Sequence, residues 1–326
     1  MGEQGTDRRG FLAGMGALGA ATTLGARWFD LAAVGAQPAD VPPVDPEFPL
    51  GVAAGDPRED GSVIWTAVPP RADGAEVRVG WEVARDPSFR RIVCDGRERA
   101  TAATGYTVHA TVRDLRPDSW YHYRFHTPTG TSRVGRLRTA PRPGRHHDRL
   151  RFAFSSCQQI NDSPYVAHQA MAGEDLDFWV HYGDYVYVHD TATLTLDDYR
   201  GVYRRFKANP LLQHLHATYP VVAMWDDGEF ANGMDRNFEP ARFAAAAQAW
   251  FEHQPVRSKR RDPTRTHREI EWGDLATFLL LDDIPLQVTP PPEFIARHAR
   301  PLNDLPSEPT LLDAGPGTDA AMPFEA

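Results

Sequence analysis

Cysteine is almost absent from the 326-residue chain, which carries only Cys94 and Cys157. Two thiols build neither a disulfide framework nor a cysteine-rich zinc site, so each has to be explained singly. A basic excess is also missing: 35 Lys and Arg stand against 44 Asp and Glu, a formal net charge of −9. Without surplus cations to displace counterions from a phosphate backbone, the composition argues against a nucleic-acid-binding surface. Long hydrophobic runs are missing too. The small-residue run Leu12 to Ala26 stops at Arg27, short of the roughly 18 apolar residues a spanning helix needs. What is present, 41% apolar and 24% charged residues, is the make-up of a globular chain with a sizeable core. The length suits about two domains at ~150 residues each.

The N-terminus reads as an address. Asp7-Arg8-Arg9-Gly10-Phe11-Leu12 precedes the apolar run, and Val34-Gly35-Ala36 closes it, in the order of a twin-arginine signal peptide spanning 1–36. Within that segment Glu3, Asp7 and Asp30 balance Arg8, Arg9 and Arg27, so its removal leaves the charge argument unchanged. Periplasmic, secreted or cell-surface localisation is expected, with the twin-arginine export machinery as a partner.

From 45 to 140 the hydrophobic period is two. Val77, Val79, Trp81 and Val83 alternate with polar residues, as do Tyr106, Val108, Ala110 and Val112, then Tyr121, Tyr123 and Phe125. Breaks at Asp60-Gly61, Arg116-Pro117-Asp118 and Pro128-Thr129-Gly130 give the spacing of a small antiparallel, fibronectin-like β-sandwich. Cys94 falls in one of its strands, as a buried and inert thiol. Thr139 to Arg145 reads as a linker.

From 150 to 283 the pattern becomes α/β. Short apolar runs at Phe152–Phe154, Phe178–Tyr182, Pro220–Trp225 and Thr277–Leu281 have the length of strands covered on both faces. A capping box from Thr195 to Asp198 opens a helix carrying Tyr199, Val202, Tyr203 and Phe206 on one face, and a second helix runs from Pro240 to Glu252. Residues 284–326, with nine prolines in 43 positions, read as a loop or disordered tail.

Ligands of open α/β sheets bind beyond the carboxyl ends of the strands. There this sequence has Ser155-Ser156-Cys157-Gln158, Gly183-Asp184-Tyr185-Val186-Tyr187, Trp225-Asp226-Asp227-Gly228-Glu229 and Asp282-Asp283. One such Asp would be an ordinary Asx turn. Several converging on one rim repel one another and call for a cation. Asp184 can bridge two ions, a Cys157 thiolate and a Tyr187 phenolate favour a transition ion, and Asp227 suits a harder ion such as calcium. His181 sits in an apolar strand as a core histidine, and His189 reads as a loop residue.

The first three of these segments, with Phe48 to Asp56, Leu196 to Arg200 and Trp272 to Leu275, resemble the PhoD-like alkaline phosphatase family over roughly residues 8–283. The resemblance implies a fibronectin-like domain followed by a metallophosphatase α/β domain. It also implies hydrolysis of phosphomonoesters and phosphodiesters with iron and calcium, and a phosphoester substrate. Carried over, it assigns Cys157 and Tyr187 to iron, Asp184 to the bridge, and Asp227 and Asn232 to calcium. The chain departs from the family at Gly228, where a histidine acting as proton donor or phosphate contact is expected, so no catalytic residue is assigned. It departs again at Gly233, in place of a second asparagine, and in having no Gly-Asp-x-His motif after 283. The expectation is an exported phosphoester hydrolase, monomeric, with an incomplete α/β domain from a shortened or frame-shifted chain. The alternative is a non-catalytic exported protein that binds phosphate or metal.

Overall fold

The computed structural model describes residues 43–159, 165–189, 192–234, 238–257 and 266–282. The expected signal segment 1–36, the tail 284–326 and Asp283 lie outside them. Seven strands come first: β1 (Val52–Arg58), β2 (Gly61–Ala67), β3 (Val77–Ala84), β4 (Ile92–Ala100), β5 (Thr107–Val112), β6 (Trp120–His126) and β7 (Gly135–Arg138). The chain continues through β8 (Phe152–Ser155), α1 (Val166–Ala172), β9 (Phe178–Tyr182), α2 (Leu196–Lys207), α3 (Pro210–Thr218) and β10 (Val221–Met224). It then forms α4 (Pro240–His253), β11 (Arg268–Trp272) and β12 (Ala276–Leu280).

Alternating side chains sort the first seven strands into two layers. Strands β4-β3-β6-β7 form one antiparallel sheet, and Val79, Tyr121, Phe125 and Leu137 from it share a core with Val52, Ile64 and Val108 of β1, β2 and β5. The layer containing β1 does not end there. Gly55 pairs in parallel with Val221, so one six-stranded sheet, β5-β2-β1-β10-β9-β8, runs through both parts of the chain.

Strands β8, β9 and β10 are mutually parallel; β9 and β10 bury residues on both faces through period-two alternation, whereas β8, at the sheet's edge, leaves Phe152 and Phe154 exposed, against the expectation that its run is covered on both faces. Trp179, Val221 and Ala223 face the helices, against Tyr199, Tyr203, Leu212 and Trp250. Phe178 and Val222 face the other way, against Ile270, Trp272 and Leu280. That second cover corrects one expectation: β12 is not a fourth strand of the parallel sheet but pairs antiparallel with β11 in a separate hairpin. Asp282 consequently does not join the rim, and its carboxylate accepts from Trp225 Nε1 at 2.8 Å and from Thr266.

Local signals set the helices. The Thr195 hydroxyl accepts from Asp198 N at 3.3 Å and the Asp198 carboxylate accepts from Thr195 N at 2.8 Å, a reciprocal cap worth about 1 kcal/mol. Asn209 Oδ1 accepts from Leu211 N and Leu212 N ahead of Pro210, which starts α3. Arg200 of α2 grips Glu252 of α4 through two bonds of 2.6 and 2.7 Å and donates to Ala103 O at 2.9 Å. Arg268 of β11 donates to Asp56 of β1 at 2.8 Å. Breaking a buried pair of this kind costs about 3–5 kcal/mol, because one charge is left behind.

Candidate metal centre

The loops that leave β8, β9 and β10 meet at one rim. Gly183, at φ 118°, turns the chain out of β9, and a Cβ there would stand 2.5 Å from Asp226 Cβ. Two residues at the turns take left-handed backbone without being glycine, Asp184 at φ 57° and Cys157 at φ 55°. Such conformations cost free energy and persist where surroundings enforce them. Here the enforcing contacts are main-chain bonds between the two loops, Cys157 N to Gly183 O at 3.3 Å and Gln158 N to Asp184 O at 3.1 Å.

The buried Asp184 carboxylate is the hub. Its Oδ2 accepts from the Tyr187 hydroxyl at 2.8 Å and from the Cys157 thiol at 3.3 Å. Its Oδ1 accepts from Gly228 N at 3.0 Å. One carboxylate oxygen each from Asp184, Asp226 and Asp227 lies within 4.8 Å of the others. Burial, with the Cys157 and Asp184 hydrogen bonds, raises the Tyr187 phenol well above its ordinary range, so the phenol donates to Asp184 in this arrangement.

Of the residues singled out in the sequence, Cys157, Asp184, Tyr187 and Asp227 come together. Asn232 sits on the exposed segment that follows, its main-chain N–H bonded to Val188 O at 2.9 Å, while Asp227 accepts from Gly233 N. Two residues carry more of the site than their sequence context suggested. Asp226, exposed, completes the acidic group. Glu229, fully buried, accepts from Asp184 N at 3.0 Å, Tyr185 N at 2.8 Å and Asp226 N at 2.9 Å. It thereby pins the loop after β9 to the loop after β10. Burial pushes the Glu229 carboxyl up to about 8 against the opposing pull of those three amides. A buried acidic side chain whose partners are main-chain N–H groups is a fastening; it goes unread in the sequence, where its Asp-x-x-Glu context shows only its bond to Asp226 N.

Gly228 has a steric explanation. A Cβ at this position would lie 2.4 Å from Asp184 Oδ1 and 2.9 Å from Val186 O, so position 228 supplies a main-chain donor and no side chain. Beside the cluster, His189 stacks on Tyr187 with ring centroids 5.2 Å apart and planes 8° from parallel. Gln159 Nε2 reaches His189 Nε2 at 2.8 Å.

Three carboxylates within reach of one cation, joined by a thiol and a phenol, match the donor chemistry of a mixed metal site. In the arrangement described, the Cys157 thiol, the Tyr187 hydroxyl and the Gly228 amide already donate to the buried carboxylate of Asp184. The carboxylates suit a hard cation, and the thiol and phenol beside them suit a transition ion.

Cys94, on β4, is half-buried, and burial first, then Asp95 and Asp114, raise its thiol to about 11. His181 is fully buried in β9. Neither belongs to the rim.

Comparison with known proteins places these features in context. A family model described as the PhoD-like phosphatase N-terminal domain matches residues 35–141, and one described as PhoD-like phosphatase matches residues 152–284. Alkaline phosphatase D of Bacillus subtilis (strain 168) is 36% identical over 312 residues, covering 85% of this chain and 53% of that protein. A solved structure of PhoD is 36% identical with a TM-score of 0.67, covering 72% of this chain and 51% of the other. The chain thus spans about half the length of the relatives it matches.

Proposed function

Because the chain belongs to the PhoD-like phosphatase family, we propose that it is a metal-dependent phosphoester hydrolase of the alkaline phosphatase and phosphodiesterase type, using iron and calcium. The observation that carries this reading is the convergence of Cys157, Asp184, Tyr187, Asp226 and Asp227 on one rim. In this reading Cys157 and Tyr187 would hold iron, Asp184 would be shared between the ions, and Asp226, Asp227 and Asn232 would serve calcium. The bound ions would polarise a phosphoryl group and lower the pKa of a water. The protein's own part is positional. Glu229 holds Asp184 and Asp226 in register through their amides, and the fixed main-chain turns keep the carboxylates aligned as a substrate arrives.

The N-terminal strands are read as a fibronectin-like sandwich, supported by β5-β2-β1 lying opposite β4-β3-β6-β7. Residues 45–140 and 150–283 form the two parts of one hydrolase, monomeric, and exported by the twin-arginine route, for which Asp7 to Leu12 is the supporting feature. The test is turnover. The full chain loaded with iron and calcium at alkaline pH should hydrolyse p-nitrophenyl phosphate and its bis-ester, and lose this on chelation. Metal retained without any turnover would favour the non-catalytic binding protein instead.

A further inference from the structure

Position 228 contributes no side chain to the rim, and its Cβ space is taken by Asp184 Oδ1. An imidazole nevertheless stands against Tyr187, the neighbour of Asp184. His189 follows the loop that carries Asp184 and Tyr187, is exposed to solvent, and is fixed from two sides. Its ring lies flat on Tyr187, at 5.2 Å and 8°, and the Tyr187 hydroxyl is itself bonded to Asp184 Oδ2 at 2.8 Å. Its Nε2 meets Gln159 Nε2 at 2.8 Å, and Gln159 belongs to the loop that carries Cys157. An amide nitrogen can only donate, so His189 Nε2 accepts and the ring proton sits on Nδ1. The tautomer assigned by this network leaves an N–H donor on a ring stacked against Tyr187, whose hydroxyl is bonded to Asp184.

We propose that His189 is a substrate-binding residue of the site, donating a hydrogen bond from Nδ1 to a non-bridging oxygen of a phosphoryl group that cations held by Asp184, Asp226 and Asp227 would bind, with Gln159 and Tyr187 as its positioning residues. The proposal rests on the reading of the rim as a phosphoesterase centre. A donor fixed in advance costs no reorganisation when the substrate arrives, and a single donor of this kind is worth about 10²-fold in rate. A flexible surface histidine would contribute far less.

The experiment compares wild type, H189A and H189Q as full chains loaded with iron and calcium, with metal content and near-ultraviolet circular dichroism measured on each. Equilibrium dialysis with inorganic phosphate gives affinity without requiring turnover, and p-nitrophenyl phosphate gives kcat/KM. In H189A, metal content should be unchanged, phosphate affinity about tenfold weaker and kcat/KM about 10²-fold lower. H189Q, which keeps an N–H donor, should recover part of both. Phosphate affinity and kcat/KM in H189A equal to wild type would overturn the role of His189 and leave the phosphoesterase reading standing. Wild-type protein that retains metal but binds no phosphate would overturn both.

Discussion

Two polar regions lie on either side of Tyr185, and they differ in the partners that meet their buried groups. In front, at the rim, acidic groups are brought together and held by donors: Asp184 by a thiol, a phenol and an amide, Glu229 by three amides. Behind, in the core, basic groups are gathered with few partners. Lys207 is buried against the faces of Trp65 at 4.4 Å and Tyr185 at 5.0 Å, and burial lowers its ammonium to about 7. Burial likewise lowers His109 to about 4 and His253 to about 3, and drives His181 and His216 well below the usual imidazole range. Tyr185 joins the two regions, its N–H on Glu229 and its hydroxyl on His216 Nε2 at 2.7 Å. Burial works against charge in both, raising Glu229 to about 8 as it lowers Lys207 to about 7, but only the rim sets donors around an acidic group open to a cation. A cation belongs in the first and is costly in the second.

Removing the hub should have the largest effect. Asp184→Asn should lower iron and calcium affinity by more than about 10²-fold, since first ligands outweigh the 10–100-fold typical of supporting residues. Cys94→Ser, remote from the rim, should leave it intact. Equal metal content in the two variants, by mass spectrometry after dialysis, contradicts the site assignment.

The core's half of the contrast is tested next by Lys207→Met, which should stabilise the protein by on the order of 2–4 kcal/mol at pH 7. The folded value for Lys207, about 7, lies below its ordinary 10.5. The unfolded chain therefore keeps a proton that the folded chain releases between those values. Stability should rise with pH across that window, and the advantage of Lys207→Met should fade toward pH 10.5. The depressed histidines act in the same direction at lower pH. Unfolded imidazoles bind protons below about 6.5 that folded His109 refuses until about 4, so wild type should lose stability as pH falls through that range. Urea midpoints at pH 5, 7 and 10 check both. An unchanged midpoint from pH 7 to 10 would show that Lys207 is charged in place.

Glu229→Gln sharpens the boundary between the regions. An amide in place of the carboxylate sets an NH₂ against main-chain donors and loosens Asp184 and Asp226 together. Affinity for terbium, read by luminescence sensitised through neighbouring Trp225, should fall about tenfold with the near-ultraviolet spectrum retained. A structural role alone would shift the melting point and leave terbium affinity as it was. Thr195→Ala, far from both regions, should cost only about 1 kcal/mol of stability and leave metal binding unchanged, as urea titration and dialysis would show.

How much of this was legible in the sequence followed from how local the signal was. The helix after Thr195 was readable because its cap lies within four residues, and Phe178–Tyr182 is a strand as its apolar run suggested. Helix α3 went unread although Asn209-Pro210 spells its start. The pairing of Gly55 with Val221 joins residues far apart in the chain, and nothing in a period-two pattern names the partner. For the same reason Ala276–Leu280 reads as a strand without revealing that it turns back onto Arg268–Trp272. At the site, Cys157, Asp184, Tyr187 and Asp227 were legible from their place after strands. Glu229 was not, because its importance lies in main-chain groups of other loops, and His189 was set aside because stacking on Tyr187 is a three-dimensional fact.

The central claim, that the rim is a metal centre built on Asp184, is tested most directly by titrating the full chain with ferric iron and recording the visible spectrum. Phenolate and thiolate bound to iron absorb in the visible, so wild type should develop a saturable band that Tyr187→Phe and Cys157→Ser each diminish and Asp184→Asn abolishes. A wild-type chain that stays colourless and retains no iron after dialysis would contradict the account.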